Sequence, residues 1–154
     1  MRVQAPPAEP MAPATAPARV VIDTNVALDL LVFGDVAAQP LAQALAAGHL
    51  HWLATAAMHD ELERVLGYPQ IARSLAFHER LPAAVLADFR QQSRSVDVAP
   101  RASYACKDPD DQKFIDLAVA HRAALISKDR AVLSMARRLS TLGVATTRSW
   151  MPPC

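Results

Sequence analysis

The sequence holds little that marks a zinc, membrane or secreted protein. It has two cysteines, Cys106 and Cys154, far apart and in no C-x-x-C or zinc-ligand spacing. Two reduced thiols in a cytosolic protein are expected rather than a disulfide framework. No apolar run approaches the roughly 18 residues a transmembrane helix needs. The opening stretch "MRVQAPPAEPMAPATAP" lacks an apolar core and is not a signal peptide. Charge of one sign is also scarce, since the formal net charge is +1. No overall positive field draws nucleic acid, although a basic rim around an acidic centre gives the same total. There is no G-x-S-x-G, no P-loop and no G-x-G-x-x-G, which removes serine hydrolase, nucleotide kinase and dinucleotide-binding functions. The five histidines make no metal-binding spacing, and nothing repeats.

What is present is a chain of 154 residues, 52% hydrophobic, long enough for one domain with a sizeable core. Residues 1–18 carry five of the twelve prolines, mostly among alanines. That composition builds no core, so a disordered Pro/Ala-rich leader is expected there, with Met11 as an alternative start. The compact domain is expected over 19–154. Its pattern predicts strands at Val20–Asp23, "HLHWLA", Val96–Val98, Ala124–Ile126 and Val144–Thr146. Helices are predicted at Asn25–Val32, Val36–Ala47, from an N-cap at Thr55 through Leu66, within Ile71–Arg94, at Asp110–Arg122 and at Arg130–Leu139. Gly48 suits a helix terminator. Strands alternating with helices predict an α/β domain with a central parallel sheet flanked by helices. Ligands of such folds sit beyond the C-terminal ends of the strands.

Four carboxylates stand out. Asp23 ends the apolar run "ARVVI", and Asp129 follows "ALIS". Each caps the helix after it or waits for a cation, since a buried unpaired carboxylate costs several kcal/mol, roughly. In "AAMHDELERVL", Glu61 falls inside the stripe Met58, Leu62, Val65 and Leu66, whereas His59, Asp60, Glu63 and Arg64 face solvent. Glu61 either reaches water or an arginine at the stripe's edge, or it has an inward partner. In "KDPDDQKFIDLAVAH", Asp108 and Asp110 are accounted for by helix initiation. Asp111 heads the stripe Phe114, Ile115, Ala118 and Val119 and faces inward, with Asp116 on the solvent side. Four acids converging on one sheet edge would repel, and capping does not require convergence. One or two divalent cations would neutralise them. Oxygen donors without nearby His or Cys favour Mg²⁺ or Mn²⁺ over zinc, the ions of phosphoryl chemistry.

Three stretches together resemble the PIN-domain ribonucleases, in particular their bacterial toxin-like branch. "VVIDTNVALDLL" is similar to the family's opening strand and helix, and "DELERVL" to its acid-bearing helix. "DPDDQKFIDLAVAHRAALISKD" is similar to its acid-led helix, strand and final aspartate. The resemblance runs from about Arg19 onward. It implies a single PIN-like domain whose Asp23, Glu61, Asp111 and Asp129 bind Mg²⁺ or Mn²⁺ and carry catalysis. Asn25 and Ser127 would hold those carboxylates by hydrogen bonds. It further implies cleavage of RNA, a homodimer, and inhibition by a protein antitoxin.

Lys128 and Arg130 flank Asp129 and are the favoured phosphate contacts. Arg73, Arg80, Arg90, Arg94, Arg101 and Lys107 read mainly as scattered surface charge. Trp52 is expected in the core. The competing functions are a non-catalytic regulatory or binding PIN-like domain, and a metal phosphohydrolase acting on DNA or nucleotides.

Overall fold

The computed structural model describes residues 18–152, so the leader, apart from Ala18, and Cys154 lie outside the described residues. Strand β1 is Ala18–Ile22, beginning at the last residue assigned to the leader. Helix α1, Thr24–Leu28, runs directly into a π-helical turn at Asp29–Phe33. A 3₁₀ turn at Val36–Ala38 leads into α2, Gln39–Ala46. Strand β2 is Leu50–Ala54, followed by α3 (Ala56–Leu66), α4 (Pro69–Phe77) and α5 (Pro82–Gln92). Strand β3 is Ser93–Ser95. A 3₁₀ turn at Pro109–Asp111 opens α6, Gln112–His121, and β4 is Ala124–Ile126. Helices α7 (Arg130–Leu133) and α8 (Ala136–Ser140) precede β5, Thr146–Thr147.

All strand pairs are parallel and the order is β3-β2-β1-β4-β5. The central strand is buried without alternation: Val20, Val21 and Ile22 are all at most 3% exposed. Burial of consecutive residues means both faces of β1 are covered, as a parallel sheet between helices requires. Helix α6 packs on β1 and β4, α2 on β2, and α3 against α5. Trp52 lies in the core, edge-on to Phe89 of α5.

Several elements differ from expectation, among them the last strand, which is Thr146–Thr147 and not Val144–Thr146. The third strand is Ser93–Ser95, paired with Trp52, Leu53 and Ala54, and not Val96–Val98. An edge strand is chosen by backbone pairing to its neighbour, and Val98 is left 79% exposed despite its β-branched side chain. The helix predicted over Arg130–Leu139 breaks at Ser134–Met135 into two short helices. Thr55 holds the N-cap position of α3, but its side chain makes no capping hydrogen bond. No single helix among the described residues is long and apolar enough to cross a membrane.

Helix α6 ends on Arg122 in the left-handed conformation, φ +50°. Only glycine occupies that region without a Cβ penalty of about 1–2 kcal/mol. Arg122→Gly is therefore expected to raise the free energy of unfolding by about 1 kcal/mol, read from urea denaturation. An unchanged or lower midpoint would show that the Arg122 side chain contributes more than its backbone costs.

Candidate metal centre

Because β1 and β4 are parallel neighbours, the residues that follow them emerge at the same sheet edge. Asp23 follows β1 and is 3% exposed. Its Oδ1 accepts the Val26 N–H at 2.9 Å, so it does cap α1. Its Oδ2 accepts the Ser127 hydroxyl at 2.5 Å. Ser127, fully buried, also accepts the Asp129 N–H at 3.0 Å. One hydroxyl thus ties the carboxylate after β1 to the backbone after β4. Asp129 caps α7 through Ala131 N–H at 2.8 Å and keeps its second oxygen for the centre.

The third arm comes from the turn before α6. One carboxylate oxygen from each of Asp108, Asp111 and Asp129 lies within 4.8 Å of the others. Asp111 Oδ2 is buried and has no hydrogen-bond donor among the described residues. Burial first, then the charges of Asp129, Asp108 and Asp23 close by, hold the Asp111 carboxyl up to about 7. Asp23 is also raised, chiefly by burial, against the opposing hydrogen bonds of Ser127 and Val26. An orphaned buried oxygen within a group of three acids fits a divalent cation, which would supply the missing partner and remove the repulsion.

Asp108 starts the helix as its sequence predicts, accepting the Asp110 N–H at 3.0 Å. It nevertheless joins the acid group. In a 3₁₀ turn residues i and i+3 eclipse, so Asp108 and Asp111 come to one side. The Asp-Pro-Asp-Asp sequence held that signal, but only if the first turn was recognised as 3₁₀.

Glu61, expected as a fourth ligand, is not one of the three acids that lie within 4.8 Å of one another. Its Oε2 accepts the Thr24 hydroxyl at 2.5 Å, and its Oε1 is ion-paired with Lys113. Lys113 Nζ also donates to the Asp110 carbonyl at 2.6 Å. The inward partner of Glu61 is therefore an ammonium from α6, and Glu61 stands outside the three-acid group. Asn25 is exposed and makes no side-chain hydrogen bond to these acids; Thr24 takes the role expected of it. Lys128 is not free for a phosphate, because it pairs with the buried Asp29 of the π turn at 2.6 Å. Arg130 is exposed and has no ion-pair partner among the described residues. Asp116 is not a solvent-facing acid: its Oδ1 accepts the Ala102 N–H at 2.8 Å and the Gln112 amide at 2.9 Å. Gln112 in turn donates to the Tyr104 carbonyl and accepts the Cys106 N–H. The two α6 side chains thereby fasten the loop that delivers Asp108. A second group, His59, Asp60 and Glu63, lies on the exposed side of α3. Its acids Asp60 and Glu63 are exposed, while His59 is half-buried and its Nε2 has no hydrogen-bond partner among the described residues.

A parallel sheet with carboxylates gathered at the C-terminal edge defines an α/β protein whose acid group could hold a divalent cation through oxygen ligands. The family follows from the sequence match: a model of the PIN domain covers residues 19–131. The chain belongs to the PIN-domain family, a nuclease fold. No curated protein matches the chain.

Because the Asp111 carboxyl is raised from 3.8 to about 7, the folded state binds more protons than the unfolded state between those values. Stability of the metal-free protein is therefore expected to fall as pH rises through that window, with Asp23 adding to the same slope. Melting temperatures measured from pH 4 to pH 8 in EDTA test this (about 4 and about 8 bracketing the window). Asp111→Asn should flatten the profile, and a saturating divalent cation should do the same to the wild type. A wild-type profile that is flat in EDTA would refute the crowding of charge at this edge.

Proposed function

We propose that the chain is a Mg²⁺- or Mn²⁺-dependent endoribonuclease and the toxin of a toxin–antitoxin pair. The observation that carries the nuclease function is the three-acid group with its orphaned Asp111 oxygen at the C-terminal edge of the sheet. Asp111, Asp129 and Asp108 would hold the cation, with Asp23 beside them and linked to Asp129 through Ser127. All donors are carboxylate oxygens, which favours Mg²⁺ or Mn²⁺ over zinc. Bound there, the cation supplies Lewis acidity to the phosphodiester and its attacking water. The chain's own residues do the rest. Ser127 and the amides of Val26 and Ala131 fix the aspartate rotamers, so the oxygens are oriented before substrate arrives. Glu61 anchors Lys113 at the rim, where its ammonium offsets charge beside the acids. Arg130, exposed next to Asp129, is available to a substrate phosphate.

The choice of RNA, the toxin role, a homodimer and a protein antitoxin rest on the likeness of the three sequence stretches to the toxin-like branch. The nuclease domain is proposed to occupy 19–154 together with Ala18, the first residue of β1.

Cleavage of a labelled RNA by the purified protein, with Mn²⁺ and with EDTA, tests the activity beside DNA and free nucleotides. Asp111→Asn is expected to abolish cleavage and to shrink the rise in melting temperature that Mn²⁺ produces. Ser127→Ala, which leaves every carboxylate in place, is expected to weaken Mn²⁺ binding by about 10–100-fold. Full RNA cleavage by Asp111→Asn would remove this function, and cleavage of DNA alone would redirect it.

A further inference from the structure

We propose that the acid edge takes a single divalent cation, with the Lys113 ammonium as its second positive charge and Glu61 positioning that ammonium rather than ligating. The proposal rests on the nuclease function above and fixes how many cations its centre holds.

Both oxygens of Glu61 are already occupied. Its Oε2 accepts the Thr24 hydroxyl and its Oε1 is ion-paired with Lys113. The pair is largely withdrawn from water, with the Glu61 side chain 18% exposed and that of Lys113 29%. Solvent and salt screen such a pair less than one on the open surface. A carboxylate so engaged can take a cation only by releasing a donor. Releasing Lys113 would leave a half-buried ammonium unpaired and next to the incoming cation. Asp111 is the opposite case, because its Oδ2 is buried with no donor among the described residues. The demand for a cation therefore falls on Asp108, Asp111 and Asp129, and not on Glu61.

Lys113 is a fixed charge. Its Nζ donates to the Asp110 carbonyl at 2.6 Å, pairs with Glu61, and lies 4.9 Å from the centroid of the Phe114 ring. Phe114 is a core residue, so the ring under the ammonium is held in place. Chain neighbours set this charge at the acid edge. The carbonyl that Lys113 grips belongs to the peptide joining Asp110 to Asp111, and Thr24 directly follows Asp23. The Glu61–Lys113 pair is thus tied through adjacent residues to two acids of the edge, and it fastens α3 to α6. In two-metal centres a second ion supplies further positive charge to the phosphodiester undergoing displacement. A preorganised ammonium supplies that charge without a second ion.

Equilibrium dialysis against Mn²⁺, with bound ion counted by electron paramagnetic resonance, reads the stoichiometry independently of cleavage. Wild type is expected to bind about one Mn²⁺ per chain, and Lys113→Met, which keeps the apolar stem over Phe114 and frees Glu61, about two. Lys113→Arg keeps the charge and should stay at the wild-type value. Glu61→Gln should stay there as well. Two ions on the wild type, falling to one in Glu61→Gln, would make Glu61 a ligand and overturn the proposal. An unchanged count in Lys113→Met would overturn it too, as the result for an ion pair that only joins α3 to α6. Lys113→Gln repeats the test if Lys113→Met does not melt cooperatively. RNA cleavage by the same samples separates this proposal from the function it rests on. A wild type that binds two ions and cleaves RNA overturns the single-cation centre and leaves the nuclease function standing. One that binds a single ion, gains a second in Lys113→Met and cleaves nothing supports the centre and overturns the nuclease function. A wild type that binds no Mn²⁺ overturns both.

Discussion

Repulsion among carboxylates at one sheet edge is the constraint around which the rest of this structure is arranged. Asp108, Asp111 and Asp129 meet within 4.8 Å, and one Asp111 oxygen has no donor. Left alone, such a group would spread apart. It stays together because each acid is fastened to a rigid element by its backbone or by its other oxygen. Asp23 and Asp129 sit at helix starts, where amide donors and the helix dipole favour negative charge. The scaffold thus stores an unfavourable local charge that a bound cation would relieve.

Ser127 has an outsized part in this. Its hydroxyl is the only link described between the carboxylate that follows β1 and the segment that follows β4. Parallel pairing of these strands sets that distance, and the consecutive burial of Val20, Val21 and Ile22 holds the pairing in place. Core packing and site geometry are in this sense one problem. The loop before α6 is treated similarly: Gln112 and Asp116 collect its backbone groups and so deliver Asp108 to the edge.

Charges around the centre are matched in pairs rather than spread as a basic surface. Lys113 answers Glu61 and Lys128 answers Asp29. This accounts for a net charge of +1 in a member of a nuclease family. Arg90 and Arg130 are exposed and have no ion-pair partner among the described residues.

Local patterns in the chain were enough for the alternation of strands and helices, for the buried β1 and β4, and for expecting Asp23, Asp111 and Asp129 at one sheet edge. Each depends on neighbours within a few residues: an apolar run that ends in an acid, or an acid at the head of a helical stripe. What local pattern could not supply was which groups meet across long separations. Asp108 entered the acid group because a 3₁₀ turn eclipses it with Asp111. Thr24, and not Asn25, reached Glu61, and Lys113 reached it from α6, 52 residues further along the chain by the numbering. Strand β3 formed at Ser93–Ser95 because its partner was the backbone of β2, to which side-chain propensity is blind. Hydrogen bonds and ion pairs select by distance and angle, and across such separations only the packed fold sets either.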